Sequence, residues 1–178
     1  MAGTHLTVEG LEAALVEVAA SPQDGGRVGM IVVRPSEDKR LVVDSVRLAP
    51  EGGVEGDYWM VTEGVEPGSQ VSLMNARLLR LLAGDEERMA LAGDNLVVDL
   101  DLSAENLPAG QRLRAGGALL EITDVPHTGC GKFAERFGRE AVRFINAAER
   151  RDLHLRGCYA RVVEAGTLRV GDRLHKTD

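Results

Sequence analysis

At 178 residues, 44% of them apolar and 28% charged, the chain is long enough to bury one sizeable core and has the composition of a globular protein. Its net charge of -7, with no lysine-rich or arginine-rich run, opposes nucleic-acid binding, which clustered positive charge drives. No run approaches the roughly 18 uninterrupted apolar residues of a membrane span.

Cys130 and Cys158 are the two cysteines, and no basic segment followed by an apolar stretch opens the chain. A reducing cytoplasm is therefore expected, with residues 1–178 forming one domain and no interdomain linker.

In chain order, Val8, Leu11, Leu15 and Val18 recur at steps of three and four behind a capping Thr7, which predicts an amphipathic helix over about 7–20. Arg27 to Arg34 and Leu41 to Leu48 are rich in valine and leucine and read as a hairpin. The glycine-rich stretch Pro50 to Gly68 reads as a long irregular connection. A short strand is expected at Gln70 to Met74, then a helix capped by Asn75 and closed by Gly84. Leu96, Val98, Leu100 and Leu102 alternate with Asp99 and Asp101, the pattern of a half-exposed strand.

Ala118 to Val125 predicts another strand. Lys132 to Arg151 predicts a helix that bends or restarts at Gly138, where glycine costs about 1 kcal/mol. Strands at Cys158 to Glu164 and Leu168 to Leu174 complete the series. Short strands, glycine turns and few helices predict a mainly β, α+β fold, a mostly antiparallel barrel with peripheral helices.

Chemistry concentrates in Pro126-His127-Thr128-Gly129-Cys130-Gly131-Lys132-Phe133. A cysteine opening a helix faces unsatisfied N–H groups, and Lys132 and Arg136 add positive charge, conditions that favour a thiolate. Gly129 and Gly131 leave room for a large ligand or metal to approach. The plainer alternative is a small buried hydrophobe. His127 serves either as a proton donor beside the sulfur or as a hydrogen-bonding member of the loop. Arg156 and Arg161 are either anion contacts or a solvated face, and Cys158 reads as core. Without Cys-x-x-Cys or further histidine ligands, structural zinc is not expected. Phosphate-loop, serine-hydrolase and zinc-protease motifs are also absent.

In order along the chain, Gly52-Gly53-Val54-Glu55-Gly56-Asp57, Gly93-Asp94-Asn95-Leu96, Cys130-Gly131-Lys132-Phe133, Arg156-Gly157-Cys158-Tyr159-Ala160-Arg161-Val162 and Gly171-Asp172 resemble the blocks of the MOSC family, named for the C-terminal domain of molybdenum cofactor sulfurases. The resemblance runs from about Val28 to Leu174. It departs from the family pattern at Tyr58-Trp59, at Asp94 in place of glutamate, and at Gly129 in place of proline.

The resemblance implies a β-barrel-like fold in which Cys130 is either the metal ligand of a molybdenum–pterin cofactor or the carrier of a sulfur atom. Lys132, Arg156, Arg161, Asp57, Asn95 and His127 become candidate cofactor contacts. Relatives of this kind reduce N-hydroxylated compounds with electrons from a separate redox partner. The sulfur-carrier reading implies a sulfur donor as partner instead, and a third reading is a non-catalytic binding module.

Overall fold

The computed structural model describes residues 5–178. Helix α1 (Val8–Ala19) starts where the Thr7 hydroxyl accepts the Gly10 N–H at 3.2 Å. Leu11 and Ala14 are buried, while Val8 and Val16 face outward.

Strands β1 (Gly26–Val33), β2 (Leu41–Val43), β3 (Ser45–Ala49) and β4 (Gly53–Val54) follow, then a 3₁₀ turn at Trp59–Val61. Next come β5 (Val71–Asn75), α2 (Ala76–Ala83), α3 (Glu86–Ala90), β6 (Leu96–Asp99), β7 (Arg112–Ala115) and β8 (Ala118–Ile122). Helices α4 (Gly131–Phe137) and α5 (Arg139–Ile145) lead through a 3₁₀ segment at Ala148–Leu153 to β9 (Cys158–Glu164), β10 (Gly166–Arg169) and β11 (Arg173–Thr177).

Seven strands close a barrel in the order β11, β7, β8, β9, β5, β6, β1 and back to β11. Every pairing is antiparallel except β5 with β6. One side of β1 is shared, its start pairing with β11 and its end with β2. A register shift between Val28 and Met30 lets Val28 and Ile31 both join the interior although they are three residues apart. Strands β10, β3 and β4 form a separate small sheet.

Two apolar clusters result. Ile31, Leu73, Leu96, Val98, Leu113 and Leu120 fill the barrel. Met30, Val32, Met74 and Val97 point outward and are covered by α1, α2, α4 and α5 through Leu11, Leu78, Phe133, Phe137 and Phe144. Each fully buried leucine contributes about 1.5–3 kcal/mol over an exposed one.

The expected fold class holds: a mainly β barrel with peripheral helices. Three expectations are corrected. The second arm of the expected hairpin breaks at Asp44, so that Leu41–Val43 stays with β1 while Ser45–Ala49 leaves to pair with β10 and β4 and buries Val46 and Leu48. The strand at Leu96 is not half-exposed, because the helix layer covers Val97, and it ends at Asp99. The final β segment divides into β10 and β11, separated by the Gly171 turn at φ 91°. The break at Gly138 is present at φ 99°, dividing α4 from α5.

Gly157 is required by its neighbours. Its φ is 98°, and a Cβ there would lie 1.9 Å from the Leu73 carbonyl oxygen on β5. Only glycine lets β9 begin so close to β5.

Candidate functional site

The segment from β8 to α4 carries no regular structure, yet it is tied down along its length. Thr123 donates its N–H to the Tyr159 carbonyl at 2.9 Å and its hydroxyl to the Gly68 carbonyl at 2.8 Å. His127 stacks on Tyr159 of β9, ring centroids 4.2 Å apart. Gly129 exchanges two hydrogen bonds with the Asn146 amide. Cys130 then takes the N-cap of α4, and its carbonyl accepts the Ala134 N–H at 3.0 Å. Its thiol is exposed.

Cys158 is the opposite case. It is 4% exposed on the barrel wall, and burial together with the Asp94 charge pushes its thiol up to about 12. A thiol so suppressed stays protonated and inert at neutral pH.

Beneath His127 lies a buried ion pair. Arg156 Nη1 contacts both Asp94 oxygens, at 2.8 and 2.7 Å, and the guanidinium sits 4.6 Å from the Phe133 ring centroid. Burial pushes the Asp94 carboxyl up, and the Arg156 guanidinium opposes that rise. His127 Nε2 is 3.7 Å from the same carboxylate, and its pKa falls well below the ordinary histidine value because of burial and then the Arg156 and Arg34 charges. Both effects favour the neutral imidazole, and its stacking on Tyr159 ties the loop to β9. Its Nδ1 and the Arg156 Nε are buried without partners.

A second network comes from the long glycine-rich connection. Asp57 accepts from Arg34 Nε at 2.9 Å and Nη2 at 3.0 Å, and from Asn95 Nδ2 at 2.9 Å. Asn95 Oδ1 receives the Ser72 hydroxyl at 3.1 Å. Trp59 lies under the Arg34 guanidinium, 5.3 Å away. Asp57 and Asn95 thus fix Arg34, a residue the sequence did not single out. Its charge reaches Asp94, His127 and Tyr159, so it belongs to the same site. The signal available in the sequence was an arginine ending the apolar run of β1, opposite a glycine-framed aspartate.

Arg40 adds to this positive field: burial and the Arg136 and Arg34 charges lower its pKa, and its Nε is buried without a partner. Lys132 projects from the first turn of α4 and pairs with Glu37, which raises its pKa. Arg161 is different. It lies on the outer face of β9, paired with Glu121 of β8 at 2.8 Å and half exposed, outside both networks.

A cleft of about 610 Å³ opens alongside, lined by His127, Thr128, Asn146, Arg151, His154 and Arg156 among others. His154 is the one non-glycine residue with positive φ (46°) among those described. Also among the described residues, no three of histidine, cysteine, aspartate and glutamate converge to hold a metal, and no helix is long and apolar enough to cross a membrane.

The closed seven-stranded barrel with peripheral helices, an exposed cysteine on the loop into α4 and a buried Asp–Arg pair define the fold class as a mainly β barrel domain. Residues 56–175 match the model of the MOSC domain, and the chain belongs to that family. Among solved structures it is similar to a hypothetical protein (20% identity, covering 88% of this chain and 70% of that one, TM-score 0.64). It is also similar to the YuaD protein from Bacillus subtilis (17%, 86% and 97%, TM-score 0.59) and to YiiM from Escherichia coli (20%, 85% and 70%, TM-score 0.57). At such identities the likeness is one of fold. A comparison with curated proteins gives no match.

Proposed function

We propose that the chain binds a molybdenum–pterin cofactor with Cys130 as the protein's ligand to the metal, and that it acts as the reductase component of a system for N-hydroxylated compounds. The observation that carries the reading is the exposed Cys130 thiol on a tied loop. Among the described residues Cys130 has no converging histidine, cysteine or carboxylate partners, so it would be a single protein ligand and a pterin dithiolene would supply further sulfur.

The residues present fit that group. A Cβ at Gly131 would meet nothing within 4 Å, so the space beside the sulfur is open. Arg40 supplies positive charge for an anionic pterin, and its buried, partnerless Nε is a donor still to be matched. When bound, the cofactor would supply a two-electron couple, R–NHOH + 2 H⁺ + 2 e⁻ giving R–NH₂ + H₂O, the electrons arriving from a separate redox protein. The chain's own contribution is narrower. Asp57 and Asn95 orient Arg34, and Asp94 and Arg156 lie beneath His127 of the loop.

The test is molybdenum per chain by elemental analysis after expression in a host that makes the cofactor. Wild type should carry near-stoichiometric metal and Cys130→Ser almost none; equal metal in both, or none in either, would overturn the reading.

One observation favours a second reading, a sulfur carrier with a Cys130 persulfide. Cys158 is buried and suppressed, so no resolving thiol is available to strip the sulfur. Intact-mass detection of one added sulfur, lost in Cys130→Ser, tests it.

A further inference from the structure

We infer that Asn146, the C-cap residue of α5, is a positioning residue that sets the place of the Cys130 sulfur through a two-point clamp on the preceding residue, Gly129. Asn146 Oδ1 accepts the Gly129 N–H at 2.8 Å, and its Nδ2 donates to the Gly129 carbonyl at 2.9 Å. A side-chain amide that meets both polar groups of one residue fixes orientation as well as distance.

Three features make the clamp possible. The first is Gly129 itself, where a Cβ would stand 3.2 Å from Ile145 Cδ1 and 3.4 Å from both Val142 methyls. The bare backbone lets the loop lie against α5, within reach of Asn146. The second is the residue type: a proline at 129 would have no N–H to give, so half of the clamp would be lost. Where a proline ring would stiffen the backbone covalently, this chain has a glycine, the least restrained residue, held from outside by the amide. The third is the far side of the cysteine, where the Cys130 carbonyl accepts the Ala134 N–H as the first turn of α4 begins.

Cys130 is thus held by α5 on one side and α4 on the other. Asn146 is exposed and lines the 610 Å³ cleft, so a ligand in that cleft can touch the residue that holds the thiol loop.

The inference deepens the cofactor reading, because a metal ligand needs a fixed sulfur, but its test stands apart from that reading. A nitroxide attached to Cys130 as a mixed disulfide, with buried Cys158 left unlabelled, reports the mobility of this position by electron paramagnetic resonance. In wild type the spectrum should be that of an immobilised label. Asn146→Ala should narrow the lines to those of a label on a free loop, and Asn146→Asp, which keeps the acceptor for the Gly129 N–H and loses the donor, should fall between. Removing a residue that orients a metal ligand lowers metal affinity about 10–100-fold. After dialysis of protein from the cofactor-competent host, Asn146→Ala should therefore keep less molybdenum than wild type.

Superimposable spectra for wild type and Asn146→Ala, with the same melting temperature, would overturn the inference. So would a melting temperature that falls while the label stays immobilised, since Asn146 would then only finish the helix. If Asn146→Ala does not fold, the wild-type and Asn146→Asp spectra decide, and identical mobility in these two refutes the clamp. Absence of molybdenum from wild type would sink the cofactor reading and leave the label spectra to judge Asn146.

Discussion

Replacing Arg156 by methionine strips the partner from Asp94, whose side chain is fully buried. The stranded carboxylate must either remain charged in an apolar setting or take up a proton. Breaking a buried pair from one side costs about 3–5 kcal/mol. The proton route sets a ceiling: relative to an ordinary aspartate pKa near about 3.9, protonation at pH 7 costs about 4 kcal/mol, at 1.36 kcal/mol per pH unit. We therefore expect Arg156→Met to lose about 4 kcal/mol at pH 7.

The sign of the pH dependence follows from linkage. In the variant the folded state holds a proton on Asp94 that the unfolded chain has released, so stability falls as pH rises. The deficit against wild type should shrink by about 1.4 kcal/mol for each unit from pH 8 down to pH 6. Because the Arg156 charge also holds the His127 pKa down, its removal lets that pKa rise, and the comparison is therefore made in a His127→Phe background. Urea denaturation followed by circular dichroism at pH 6, 7 and 8 measures the effect. The double variant Asp94→Asn, Arg156→Met should recover part of the loss and remove its pH dependence. A deficit below about 1 kcal/mol, or one constant across this range, would refute the account of Asp94 as a buried carboxylate held by Arg156.

Three further outcomes are expected. Because the folded-state pKa of His127 lies well below that of the unfolded chain, its contribution is neutral above about pH 6.5, and it costs about 1.4 kcal/mol per unit as pH falls below that value. His127→Phe, which keeps the stacking on Tyr159, should flatten the acid limb of a stability–pH curve, and an unchanged limb would argue against a buried neutral imidazole. Gly157→Ala should cost about 3 kcal/mol or prevent folding, whereas Gly131→Ala, with open space and a helical position, should lie within about 1 kcal/mol of wild type by thermal melting. Titration of native protein with a thiol reagent at pH 8 should count one reactive cysteine per chain, with Cys158 joining only in denaturant; two reactive thiols in the native protein would contradict the burial of Cys158.

The parts of this fold legible in the sequence are those fixed by local chemistry. Thr7 and Asn75 cap helices because their side chains satisfy nearby N–H groups, and the break at Gly138 follows from one residue's conformational freedom. What eluded the sequence depends on contacts distant along the chain. The alternation from Leu96 reads as a half-exposed strand because the layer that covers Val97 comes from helices placed by tertiary packing. The bend at Asp44 is set by β10, more than a hundred residues onward.

The candidate site divides in the same way. Cys130, with its flanking glycines and helix start, could be read locally. Arg34 could not, since its importance comes from Asp57 and Asn95, 23 and 61 residues away. Arg161 looked equivalent to Arg156 in sequence, but strand alternation sends it to the outer face, where Glu121 meets it.

The central claim is that Cys130 supplies the protein's bond to molybdenum. X-ray absorption at the molybdenum edge of wild-type protein loaded in a cofactor-competent host tests it most directly. The account predicts one sulfur neighbour beyond the pair supplied by the pterin dithiolene. A first shell in loaded wild type holding only that dithiolene pair, with oxygen or nitrogen in place of the third sulfur, would contradict it.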